Sequence, residues 1–172
     1  VRTSKLTDEN ELIKFKDLKP DIVIVVAYGQ IIPNSFLQIS NLNFINVHAS
    51  LLPKWRGAAP IERAILNGDK ETGVSIMKIV NKLDAGPYIM QTRIKIDSET
   101  NSGKLKEKLS ILGAKTLIQS IDQILSKEGN FIDQNNEEAS YAKKIEKKET
   151  RINWQEDAKK IILKINAFSP KP

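Results

Sequence analysis

Apolar positions along this chain switch between a helical and a strand period, and the switches outline its elements. Residues 7 to 19 (TDENELIKFKDLK) place Leu12, Ile13, Phe15 and Leu18 at helical spacing behind a candidate cap, Thr7, and Pro20 stops the pattern. The next stretch, Asp21 to Ala27 (DIVIVVA), is continuously apolar and β-branched, which suits a strand covered on both faces in a parallel sheet. Tyr28-Gly29-Gln30 breaks it, Pro33 opens a short helix through Leu37, and Phe44 to His48 (FINVH) reads as a second strand with polar residues at its end. A helix is expected from about Ala59 to Leu66, with Pro60 in its first turn and Gly68 as its stop. Gly73 to Val80 is a third strand, Leu83 to Pro87 a turn, and Tyr88 to Ile96 a fourth strand. There Tyr88, Met90, Thr92, Ile94 and Ile96 face one way, while Gln91, Arg93 and Lys95 face water. The strongest helix runs from Lys104 to Ser126, with an apolar stripe of Leu105, Leu109, Leu112, Leu117, Ile121 and Ile124 or Leu125, and Gly129 ends it. Beyond Asn130 the signal weakens to a basic stretch, Tyr141 to Lys148, a short helix around Asp157 to Ala167, and a linker-like Ser169-Pro170-Lys171-Pro172. Helices alternating with strands imply an α/β layered domain. Its sheet of about four strands falls below the usual five or six, so the chain is expected to be incomplete at its front.

Composition narrows this only a little. The chain has 172 residues, 40% hydrophobic and 28% charged, the balance of an ordinary globular domain with at most a tail. A net charge of +6 admits an anionic partner without requiring one, because solvated Lys/Glu helices give the same excess. The absence of cysteine excludes disulfides, thiolate metal sites and cysteine nucleophiles, and fits a reducing compartment. The longest apolar run, Ile22 to Ala27, is far short of the roughly 20 residues that span a bilayer. The chain begins at Val1, so targeting is not legible.

Three stretches could carry chemistry. Asn46 and His48 stand two apart on a strand and therefore project from one face. An amide and an imidazole converging on one atom can stabilise an oxyanion, an effect on the order of 3 kcal/mol per donor. The plainer alternative is a hydrogen-bonded histidine finishing a strand. A zinc site is disfavoured, since His48 is the single histidine and cysteine is absent. Ser50 to Ile61 (SLLPKWRGAAPI) is unusual for a loop, because Leu51, Leu52 and Trp55 need cover from a core or an apolar ligand. Lys54 and Arg56 flank the tryptophan, either for an anionic partner or simply as solvated surface cations. Asp84 stands in a turn closed by Gly86 and Pro87, where it either bonds its own backbone or, beside an imidazole, fixes the ring's tautomer and relays protons.

The string Asn46-Val47-His48-Ala49-Ser50-Leu51-Leu52-Pro53-Lys54-Trp55-Arg56-Gly57-Ala58-Ala59-Pro60-Ile61, with Glu71 to Met77 and Leu83 to Pro87, closely resembles the methionyl-tRNA formyltransferase family. The likeness runs from Asp21 to Trp154 and on to Ala167-Phe168. Folate-dependent formyltransferases acting on glycinamide ribonucleotide or aminosugars share the Asn-x-His and a later Asp, while Trp55 to Pro60 points to the methionyl-tRNA branch. The resemblance implies a Rossmann-like formyltransferase fold: a mostly parallel sheet with flanking helices, lacking the family's first βαβ portion and its basic tRNA-facing loop. It implies a partial catalytic domain over residues 1–154, then a helix and linker over residues 155–172 toward an absent C-terminal β-barrel. It further implies transfer of a formyl group from 10-formyltetrahydrofolate to the amino group of methionyl-tRNA, without a metal. By the resemblance, Asn46 and His48 polarise the formyl oxygen and Asp84 assists proton transfer. Ser50, Leu51, Leu52 and Pro53 lie against the folate, and Tyr28, Gly29, Gln30 and Ile32 line its pteridine pocket. The implied partners are folate and initiator methionyl-tRNA, met by a monomer in a bacterial cytoplasm or an organellar matrix or stroma, with no membrane. The alternatives are a sibling enzyme acting on a small amine, and a non-catalytic RNA-binding fragment relying on Lys143, Lys144, Lys147 and Lys148.

Overall fold

The computed structural model describes residues 6, 8–39, 43–126 and 129–171. The first helix, α1 (Glu9–Asp17), is capped by Asp8, whose carboxylate accepts the Asn10 N–H at 2.9 Å. Thr7, the expected cap, lies outside the described residues. Phe15 of α1 meets Phe36 of the short helix α2 (Asn34–Leu37) and Phe44, with ring centroids 5.2 and 6.0 Å apart.

Among the described residues four strands form the main sheet: β1 (Ile22–Val25), β2 (Asn43–His48), β4 (Glu71–Lys78) and β5 (Tyr88–Lys95), in the order β1-β2-β4-β5. The number β3 belongs to Arg56–Gly57. β1 and β2 run parallel, and β4 runs antiparallel to both β2 and β5, so β4 alone is reversed. Although its apolar run suggested cover on both faces, β1 is the outer strand of the described sheet and all four of its residues are only half-buried.

Helix α4 (Ser102–Leu125) covers one face of the sheet, and the Asn101 side chain caps it by accepting the Lys104 N–H at 2.9 Å. Leu105, Leu109 and Ile124 are buried as the stripe predicts, but between them the buried residues are Gly113, Thr116 and Ser120. The helix comes so close to β2 here that a Cβ on Gly113 would sit 3.0 Å from Val47 Cγ1, and Thr116 Oγ1 donates to Thr92 Oγ1 at 3.0 Å. Larger side chains can only flank that contact, which is why Leu112 and Leu117 pack at its margins.

Helix α3 (Pro60–Leu66) buries Ala64 and Ile65, and α5 (Ala158–Ala167) packs on it with Ala167 fully buried. Ile65 and Ala167 join Ile45, Val74, Ile76, Leu105, Leu109 and Ile124 in one core. A second sheet, absent from the sequence reading, pairs β3 with β6 (Tyr141–Ala142) in parallel. Its two short strands draw the basic segment after Ser140 back against the loop that follows β2.

Candidate active site

Alternation along β2 turns Val47 toward α4 and Asn46 and His48 toward the opposite face. In the register, His48 stands opposite Ser75 and Ser75 opposite Gln91, a polar row crossing three strands on that face. His48 is buried, and its Nε2 lies 2.9 Å from the Trp55 carbonyl oxygen. A carbonyl only accepts, so Nε2 carries the hydrogen and Nδ1 is left facing Asp84 Oδ2 at 3.7 Å. That gap exceeds a hydrogen bond but is well inside the range of strong charge interaction. The tautomer is therefore held by the Trp55 carbonyl and not by Asp84, as the sequence had suggested. Nδ1 is the working edge: a lone pair when the ring is neutral, an N–H when it is protonated.

Both residues that frame the imidazole have left-handed backbones, Trp55 at φ 60° and Asp84 at φ 44°. Such non-glycine conformations cost on the order of 1–3 kcal/mol and persist only when neighbours over-determine them. Here they do. Trp55 donates its N–H to Ser140 Oγ at 2.9 Å and its indole N–H to Asp69 Oδ2 at 2.7 Å. Asp84 Oδ2 accepts the Gly57 N–H at 2.8 Å, and the Asp84 carbonyl accepts from Gln134 Nε2 at 2.9 Å. Asn46 is half-buried, and among the described residues no side-chain hydrogen bond engages its amide, which leaves it available on the His48 face.

The loop after β2 is clipped to the sheet from beneath. Ser75 Oγ donates to the Ser50 carbonyl at 2.6 Å and accepts from the Leu52 N–H at 3.1 Å and from Gln91 Nε2 at 2.9 Å. Gln91 also donates to the Leu52 carbonyl at 2.8 Å, and the Ser50 hydroxyl donates to the Lys54 carbonyl at 2.6 Å. Ser50 and Leu52 are buried and serve the loop's own structure, while Leu51 and Pro53 are half-buried. Ser75 and Gln91 escaped the sequence reading. Gln91 occupies the phase assigned to solvent, yet the face it shares with Ser75 lies under this loop.

Arg56 and Lys54 do not form a surface pair. Lys54 is exposed, but Arg56 is fully buried, with Nε donating to Gln134 Oε1 at 2.9 Å and Nη1 to Asn136 Oδ1 at 3.0 Å. Tyr28, Gly29, Gln30 and Ile32 follow β1, whose Val25 pairs with Asn46, so their loop leaves from the same end of the sheet. Tyr28, Gly29 and Gln30 are exposed and Ile32 half-buried, and among the described residues no hydrogen bond ties them to Asn46, His48 or Asp84. Among the described residues no group of three or more His, Asp or Glu side chains could hold a metal ion, and no helix is long and apolar enough to cross a membrane.

A protein family described as Formyl transferase matches residues 1–121. The methionyl-tRNA formyltransferase of Pelagibacter ubique is 50% identical over 166 residues, 96% of this chain and 54% of that protein, so the chain spans about half the length of this relative. The fold resembles that of HypX from Aquifex aeolicus, solved with tetrahydrofolic acid, at a TM-score of 0.82 over 96% of this chain and 29% of that one, with 18% identity. A sugar 3N-formyl transferase, WlaRD, solved with dTDP and 5-N-formyl-THF, aligns at a TM-score of 0.74 with 26% identity, covering 85% of this chain and 53% of that one.

Proposed function

Because the chain belongs to the formyl transferase family, we propose that it carries the catalytic site of an enzyme that moves a formyl group from 10-formyltetrahydrofolate to the amino group of methionyl-tRNA. The observation that carries this reading is the fixed imidazole: His48 Nε2 is committed to the Trp55 carbonyl, and Nδ1 faces Asp84 across 3.7 Å on the face that Asn46 shares. The methionyl specificity is supported by the 50% identity to the Pelagibacter enzyme.

The substrate amine attacks the formyl carbon, a C–N bond forms, and the carbonyl π pair moves onto oxygen. The Asn46 amide and the protonated His48 Nδ1–H donate to that oxyanion. Asp84 takes the proton that the amine nitrogen must lose. Collapse breaks the bond from the formyl carbon to N10, which leaves with the bonding pair and gains a proton, so one proton leaves the amine and one reaches tetrahydrofolate. Leu51 and Pro53, on the loop whose fold Ser50 and Leu52 fix, form one wall for the folate. Tyr28, Gly29, Gln30 and Ile32 contribute the opposite wall at the same sheet end. The reading carries with it a monomer working with folate and initiator methionyl-tRNA in a bacterial cytoplasm or an organellar matrix.

The test is formylation of methionyl-tRNA by the protein as its gene encodes it. His48→Ala and Asp84→Ala are each expected to lower the rate by about 10²–10⁴-fold with the fold retained, and near-wild-type rates in either variant would overturn the assignment. A panel setting methionyl-tRNA against amino-sugar nucleotides and glycinamide ribonucleotide separates this reading from a small-amine formyltransferase.

A further inference from the structure

Among the described residues Arg56 is the largest fully buried side chain, no carboxylate lies within ion-pair distance of it, and its Nη2 is buried without a hydrogen-bond partner. A buried guanidinium held by amides alone is a poor way to stabilise a fold. Its arrangement makes more sense as a fastening. Arg56 can only donate, so the Gln134 Oε1 must face it, and the Gln134 amide orientation follows without ambiguity. The two hydrogens of Nε2 then point away from Arg56, one to the Asp84 carbonyl at 2.9 Å and one to the Gly86 carbonyl at 2.6 Å. Gln134 is 8% exposed, and its amide oxygen accepts from Arg56 while both its N–H groups are directed at the Asp84 turn.

The turn is gripped from a second direction by the residue next to Arg56, since the Gly57 N–H donates to Asp84 Oδ2 at 2.8 Å. Arg56 and Gly57 are themselves fixed as β3 against β6. The turn has little room to settle elsewhere, because a Cβ at Gly86 would collide with the Lys78 carbonyl. Asp84 thus keeps its left-handed backbone and its place beside His48 through one short segment acting twice, once directly and once through Gln134.

We propose that Gln134, oriented by the buried Arg56, is a positioning residue that sets the Asp84 carboxylate against His48. Gln134 touches no substrate; it acts through the turn. The proposal rests on the formyl-transfer reading for its kinetic consequence but not for its structural one.

Gln134→Glu separates the two halves of the clamp. It keeps an acceptor for Arg56, now as a buried ion pair, and removes both N–H donors to the turn. In the protein as its gene encodes it, kcat for formylation of methionyl-tRNA is expected to fall about 10- to 100-fold, the loss typical of a misplaced reacting group. KM for both substrates should stay within about twofold, and the two lost buried hydrogen bonds should lower the thermal midpoint while leaving the protein folded at the assay temperature. The second readout needs no activity. His48 is the single histidine in the chain, so its imidazole NMR signals report this site alone. The chemical-shift change that Asp84→Asn causes in them should be at least halved in the Gln134→Glu background. Should Gln134→Glu not fold, the double variant Arg56→Leu/Gln134→Leu removes the clamp without stranding a charge, and the same two results are expected of it. Unchanged kcat, or an undiminished coupling between His48 and Asp84, would overturn the proposal. A wild-type protein that formylates nothing defeats the transfer reading instead, and the NMR coupling still decides the positioning claim.

Discussion

Ser75 shows how much of this site depends on groups that do no chemistry. It is fully buried, and its hydroxyl serves three partners at once: the Ser50 carbonyl, the Leu52 N–H and the Gln91 amide. Ser75→Ala strands those groups out of reach of water, and a loss of about 1–3 kcal/mol is expected in urea unfolding. Because the same hydroxyl ties down the loop bearing Leu51 and Pro53, the proposed formyl transfer should show KM for 10-formyltetrahydrofolate rising more than kcat falls. At this scale a strand period and a turn motif singled out Asn46, His48 and Asp84 as candidates, and the family resemblance gave them their expected roles. The sequence did not show Ser75, Gln91 or Gln134, whose partners are backbone atoms tens of residues away. Nor did it show that Trp55, rather than a glycine, would adopt the left-handed conformation that turns a carbonyl onto His48.

Single elements were legible wherever a period lasted long enough. The main strands and helices begin and end within about two residues of where the apolar pattern puts them. β3 and β6 were not legible, since two-residue strands have no period and their pairing joins positions 85 residues apart. Within α4 the pattern misplaced the centre of the contact, because it weighs hydrophobicity and the sheet selected for smallness. This yields a contrast on one helix. Gly113→Leu should cost about 1–3 kcal/mol or more by overpacking against Val47. Ile118→Lys, at a position 68% exposed, should change stability by no more than about 0.5 kcal/mol. Equal losses at the two positions in thermal or urea unfolding would contradict the close approach at Gly113.

Across the whole molecule, α5 packs on α3 through the core, and the segment ahead of it, residues 143–149, is fastened to α3 by Arg63. Its guanidinium donates to both oxygens of Glu149, at 2.6 and 3.0 Å, and to the carbonyls of Lys143 and Lys144. The hydrogen bonds from Arg63 draw the Glu149 carboxyl down from 4.5 to about 2. A folded-state value below the unfolded one means that the fastening contributes fully above about pH 4.5 and is lost as pH falls toward 2. Thermal midpoints of the wild type and Glu149→Gln should therefore differ at pH 6 and converge by about pH 2, with the gap narrowing between. A gap independent of pH would place the fastening elsewhere.

The clamp on Asp84 also sets an order in time. Synthesis proceeds from the N-terminus, so His48, Asp84 and all four strands of the main sheet are made before Gln134, which meets Arg56 across 78 residues, and before Ala142, which β3 needs for pairing. Closing so long a loop is slow and has to be offset by the contacts it makes. A nascent chain can thus hold its sheet, its imidazole and the Gly57 grip on Asp84 before the Gln134 half of the clamp exists to be formed.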